Sequence, residues 1–240
     1  MNKLNISTRL NLGFAVIIAV FLLLAAVTSW RIEKVSQATA RMALETELLE
    51  LAEKWQGDVR QNSARSLAVG YSESGAMLDF FKDNMAETSR QTTVTQKAFL
   101  EKVKDEASRK LAENVGEVRK GWLATRDQVN ALKAAGDAAG ARALVQSKFV
   151  PVTDEYIKAT QTLVDKLVEN SKTAAKDVDV MFHQLYLLGA LMLLAVIGFA
   201  VMVSWSHLTQ HFARHGIGSG DRAAHWRRRP EPERTCQWQR

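Results

Sequence analysis

The stretch LNLGFAVIIAVFLLLAAVTSW, residues 10–30, decides the fold. Its 21 residues carry no charge, and Arg9 and Arg31 close it. At about 1.5 Å per residue a helix of that length reaches about 30 Å, the thickness of a bilayer's hydrocarbon core. A second run, Leu185–Trp205, has the same length and the same lack of charge. Trp30, Trp205 and Tyr186 stand at the run ends, where aromatic rings favour the membrane–water interface. A cleaved signal peptide has an apolar core of about 7–15 residues. The first run is longer, and helical periodicity continues through Arg31, so an uncleaved anchor is expected.

The charge pattern agrees. The 240 residues hold 32 Lys and Arg against 26 Asp and Glu, a net charge of +6. Residues 1–9 carry Lys3 and Arg9 and no acid, and residues 206–240 carry seven Arg and three acids. Residues 10–205 therefore balance at 23 basic and 23 acidic. The excess sits in two flanks beside the apolar runs, which argues against a nucleic-acid-binding domain and for a membrane protein. By the positive-inside rule both ends are expected in the cytoplasm. The loop between the runs is then outside, in the periplasm of a bacterium with two membranes. The expected division is a cytoplasmic N-terminus (1–9), transmembrane helix 1 (10–30), a periplasmic domain (31–184), transmembrane helix 2 (185–205) and a cytoplasmic tail (206–240).

The loop fits a heptad template of the left-handed bundle type. Val35, Met42, Leu49, Gln56 and Ser63 recur every seven residues, interleaved with Ala38, Glu45, Ala52, Val59 and Ser66. Met77, Phe81, Asn84, Thr88, Gln91, Thr95 and Ala98 form a second stripe. Leu111, Val115, Val118, Trp122, Thr125, Val129 and Leu132 form a third, and Ile157, Thr160, Val164, Leu167, Ser171, Ala174 and Val178 a fourth. Breaks are expected at Gly70–Gly75, near Lys104–Ser108 and at Ala135–Asp137. Asp137 should cap a short helix over 138–147, and Pro151 with Thr153 as N-cap should open the last long helix. Val152–Trp205 reads as one helix of about 80 Å. The expected fold is all-α: two transmembrane helices continuous with an up-down four-helix bundle. Polar seam positions such as Gln56, Ser63, Asn84, Thr88 and Gln91 need partners or water. They fit a wet bundle, a dimer interface or a ligand pocket in the distal half.

Arg119, Trp122 and Arg126 form the most suggestive group. Arg119 and Arg126 differ by about 20° in azimuth and Trp122 lies about 60° away. Two guanidinium forks beside an aromatic face can hold a carboxylate. Arg65 on the first helix and Thr88 on the second are expected to point toward the same zone. The same spacing also suits a core tryptophan flanked by arginines that pair with carboxylates. His207, His211 and His215 have metal-compatible spacing, but they fall in the tail, and no metal or cofactor is expected. Catalytic motifs are not seen, and the chain is not expected to be an enzyme.

The opening MNKLNISTRLNLGFAVIIAVFLLLAAV, with GEVRKGWLATRD, LKAAGDAAGARALV and PVTDEYIKATQTLV in that order, resembles the input half of methyl-accepting chemotaxis proteins with a four-helix-bundle sensor. The likeness covers residues 1 to about 206. It implies a homodimeric chemoreceptor in the bacterial inner membrane. In carboxylate-sensing members an R-x-x-Y-x-x-x-R motif contacts the ligand, as does a threonine on the second helix. Arg119, Arg126 and Thr88 match these, and Trp122 stands where tyrosine is typical. The full-length family couples to a chemotaxis kinase and adaptor through a cytoplasmic region beyond a HAMP linker. Here residues 206–240 are expected to be an out-of-frame remnant of that linker, because codons for Gly216–Arg240 read one base later permit ALAAAIARRIGGGDLNLNVPVNGN. Trp226 and Trp238 then both force glycine. The same sensor module would also suit a histidine kinase or a cyclic-dinucleotide enzyme, and a ligand-free two-span structural protein is a third reading.

Overall fold

The computed structural model describes residues 6–215. Among them every regular element is helical: α1 (Ile6–Tyr71), α2 (Ala76–Lys102), α3 (Glu106–Ala134), α4 (Ala138–Leu144), a π-helical turn (Val145–Phe149) and α5 (Val150–His215). The all-α expectation holds. The chain divides into two units, Met1–His183 and Gln184–Arg240. The tail residues 216–240, on which the linker reading rests, and the side chains of His207, His211 and His215 lie outside the described residues.

Within the first unit, α1 begins with the apolar stretch and leaves Phe14, Ile18, Phe21, Leu22 and Leu23 exposed. In the second unit Leu187, Leu191, Leu194 and Ile197 are likewise exposed. The most apolar window of each helix has no buried residue, unlike the core helix of a water-soluble protein. Both are long and apolar enough to cross a membrane.

From Leu44 onward α1 packs with α2, α3 and α5. The neighbours run antiparallel, as their contacts show. Glu47 pairs with Lys102 and Asn62 with Ser89 between α1 and α2. Arg119 meets Gln96 and Arg126 meets Ser89 between α2 and α3. Ser108 meets Asn170 and Trp122 meets Thr153 between α3 and α5. Trp55 meets Tyr156 between α5 and α1, which closes the ring of four. The shared core is Leu48, Ala52, Trp55, Val59, Phe99, Val115, Trp122, Phe149, Tyr156, Leu163 and Leu167, among others. Trp55 meets Phe99 edge-on at 6.4 Å, and Trp122 lies 5.6 Å from Phe149 and 5.7 Å from Tyr156.

The helix ends have local causes. The Asp105 carboxylate accepts from the backbone N–H of Ser108 at 2.8 Å and caps α3. Asp137 does the same for Gly140 at the start of α4. Gly136 between them has φ 78°, a left-handed conformation that ends α3 at low steric cost. Gly70 is also required: a Cβ there would run into the Val145 side chain.

Two expectations need correction. Thr153 does not cap a new helix, because no break occurs at Pro151. Instead the chain widens into the π turn, where the Val150 N–H bonds the Val145 carbonyl five residues back. Pro151 cannot donate and its ring crowds the carbonyl four residues earlier. One wide turn absorbs both defects, and α5 follows directly. The α2 stripe is also rotated by a step. Met85, Thr88, Thr92, Thr95 and Phe99 are buried, while Asn84 and Gln91 are exposed. Phe99 fixes this register, since burying a large ring outweighs the placement of any threonine.

Candidate functional site

The five residues singled out in the sequence come together where α1, α2 and α3 meet. Arg65 on α1 donates from Nη1 to the Thr88 hydroxyl at 2.9 Å and to the Asn84 carbonyl at 3.4 Å. Next to Thr88, Ser89 is the hub. Its hydroxyl accepts from Asn62 Nδ2 at 3.0 Å and from Arg126 Nη1 at 3.1 Å. Its carbonyl accepts from Arg119 Nη2 at 2.9 Å. The remaining Arg119 bonds go to Gln96 Oε1 at 2.9 Å and the Thr93 hydroxyl at 2.8 Å.

The arginines differ in how their charge is met. Arg126 pairs with Asp127 at 2.7 Å and lies over Trp122, with its guanidinium carbon 5.4 Å from the ring centroid. Arg65 and Arg119 make no ion pair among the described residues, and their hydrogen bonds end on neutral oxygens. Of the three guanidinium groups, only Arg126 has a carboxylate within ion-pair distance among the described residues. Trp122 is 2 % exposed. Its indole N–H donates to the Thr153 hydroxyl at 3.0 Å, and Phe149 and Tyr156 lie against it. It is a core residue whose ring supports Arg126.

Behind Arg119, toward the bundle axis, is a cavity of about 10 Å³ lined by Asp58, Asn62, Ser89, Arg119, Trp122 and Tyr156, with Val59, Thr92 and Leu123 completing its wall. Burial pushes the Asp58 carboxyl above its ordinary range, and Lys54 partly offsets the shift. Burial likewise raises the Tyr156 phenol, against the hydrogen bond from Trp55 and the charge of Arg119. On the outer side, α2 and α3 form an open groove of about 420 Å³ whose lining includes Thr93, Gln96, Leu100, Arg119 and Leu123.

Sequence reasoning misses Ser89, Asn62 and Asp58. Asn62 is legible, since Trp55, Val59, Asn62 and Ser66 keep a 4-3-4 spacing through the true α1 seam. Ser89 carries no signal, being one hydroxyl residue in a helix rich in them. Three side chains, Asn62 of α1 and Arg119 and Arg126 of α3, bond Ser89 of α2, and Arg65 of α1 bonds the adjoining Thr88. Such a site can hold a small anion.

No curated protein matches the chain. Residues 3–182 match the family described as the four helix bundle sensory module for signal transduction. That span contains the whole bundle and the first apolar segment. The chain belongs to this family of four-helix-bundle sensory modules.

Proposed function

We propose that the chain is the input module of a transmembrane chemoreceptor of the methyl-accepting type, and that its bundle binds a small carboxylate at Arg119 and Arg126. One observation carries this reading: Arg65 and Arg119 converge on Thr88 and Ser89 with only neutral oxygens to receive their hydrogen bonds. A carboxylate about 4 Å from a guanidinium gains about 4 kcal/mol at an effective dielectric near 20. A hydrogen bond from a charged donor to a neutral oxygen is worth about 1.5–3 kcal/mol net. Gln96 and Thr93 are therefore replaceable acceptors, and an incoming carboxylate wins Arg119 from either.

In this reading the bundle lies in the periplasm of the inner membrane, in a homodimer, with both termini cytoplasmic. Ligand held between α2 and α3 biases a small displacement of α5 relative to α1. The chain binds and transmits, and catalyses nothing. Thermal unfolding of the full chain in lipid nanodiscs, against mono-, di- and tricarboxylates, tests it. At least one acid should raise the midpoint progressively with concentration. A midpoint indifferent to every acid would refute the ligand reading.

A further inference from the structure

The cavity behind Arg119 has unmatched polar atoms whose needs do not depend on the identity of any ligand. Asn62 is 4 % exposed, and its amide nitrogen is fully used by Ser89 and the Met85 carbonyl. Its carbonyl oxygen Oδ1 is buried and makes no hydrogen bond within the protein. Asp58 Oδ2 is buried and unpaired in the same way. The Tyr156 hydroxyl accepts from Trp55 Nε1 at 3.4 Å, and indole is only a donor. The phenolic proton then has no acceptor among the described residues. One donor and two acceptors are thus unmatched, and all three residues line the same cavity.

Leaving a buried polar atom unpaired costs about 1–3 kcal/mol. Three such atoms at one place is more than a native bundle tolerates by chance. The unmatched set defines what belongs there: a group with one acceptor site and two donors. A hydroxyl has one donor and leaves an orphan. The volume of about 10 Å³ is close to what a single water needs. We propose that this cavity is a binding site for one structural water, which accepts from Tyr156 and donates to Asp58 Oδ2 and Asn62 Oδ1. Three partners is the usual number for a buried water.

Its place gives it a role. Asp58 and Asn62 belong to α1 and Tyr156 to α5, the two helices that continue into the apolar segments. Arg119 of α3 forms part of the wall. The water is therefore a polar joint between α1 and α5 with one side built by the arginine of the candidate site. A group that draws Arg119 outward, toward Gln96, re-shapes that wall without touching either helix.

Water–methyl cross-relaxation NMR on the full chain in detergent micelles, with Val and Leu methyls labelled, tests this directly. The Val59 and Leu123 methyls line the cavity. Both should show a cross-peak to a water held longer than the rotational time of the particle. Asn62→Leu should abolish it by filling the space and removing an acceptor. Tyr156→Phe, which keeps the shape, should weaken it several-fold and serves alone if the first variant does not fold. Absence of the cross-peak in the wild-type chain, with these methyls resolved, would overturn the proposal. So would an undiminished signal in Tyr156→Phe. Either outcome leaves the carboxylate reading standing, since that rests on Arg119 and Arg126.

Discussion

The α1–α2 contact changes character along its length. Toward the apolar segment it is drier: Leu48, Ala52, Trp55, Phe99 and Val103 are buried, and Glu45 and Thr95 are the polar side chains buried beside them. Toward the distal turn it is wet: Asn62, Ser63, Ser66, Thr88 and Thr92 are all buried. The backbone geometry is the same bundle in both halves. Each buried apolar side chain contributes about 1.5–3 kcal/mol, and the first half holds the larger ones, Trp55 and Phe99, against Val69 and Met85 in the second. The second half contributes a set of hydroxyls and amides that fix three arginines at a chosen place. A protein that needed only a stable bundle would have no reason to bury them, since buried polar groups return little net stability.

This contrast is open to attack by mutation, with effects that should fall in order. Phe99→Ala, in the drier half, should cost about 3–5 kcal/mol by loss of burial and creation of a cavity against Trp55. Denaturant unfolding measures it, and a cost near 1 kcal/mol would mean that the larger side chains of this half do not carry its stability. Asp105→Ala should cost about 1 kcal/mol, the usual worth of an N-cap. The hydroxyl and backbone N–H of Ser108 hold the Asp105 carboxyl below its ordinary value of 3.8. A depressed carboxyl pKa adds stability above 3.8 that is lost as pH falls through the folded value. The cost of the variant should therefore vanish in acid.

Asp58→Asn tests the wet half with the opposite sign. Burial raises this carboxyl above 3.8, so the folded state resists its ionisation. The resulting penalty is absent below 3.8 and grows as pH rises through the raised value. The variant should be the more stable protein at neutral pH, and its advantage should fade toward about pH 4. Equal pH profiles would show that Asp58 is better hydrated than its buried oxygen implies. Smallest of all, Ser63→Ala should change stability by about 0.5 kcal/mol or less, because the Ser63 hydroxyl is buried and makes no hydrogen bond. A large loss there would reveal a partner for it and weaken the contrast.

The same contrast explains which features are legible in the sequence. Positions such as Trp122, Val129, Val164 and Leu167 are large and apolar at heptad spacing, so the α3 and α5 seams stand out. On α2 the inward face is mostly threonine, and Thr88, Thr92 and Thr95 look no more buried than Asn84 and Gln91. The heptad pattern there is off by one step, with only Met85 and Phe99 to correct it. Pro151 misleads for a different reason. Proline is common at the start of a helix, and the sequence has no mark for a π turn that lets a helix run through one. At the site, the helical azimuth places Arg119 and Arg126 on one face. Ser89, which both of them bond, is invisible because its importance comes from three helices meeting there and not from its neighbours in sequence.

Everything proposed for the site turns on Arg119 and Arg126 receiving a carboxylate. Isothermal calorimetry on the full chain in nanodiscs, with the acid that most raises the wild-type midpoint, tests it most directly. Arg119→Ala and Arg126→Ala should each weaken binding at least tenfold, about 1.4 kcal/mol, while a bundle of unchanged helicity remains. Binding of wild-type strength in both variants would mean that neither arginine holds the ligand.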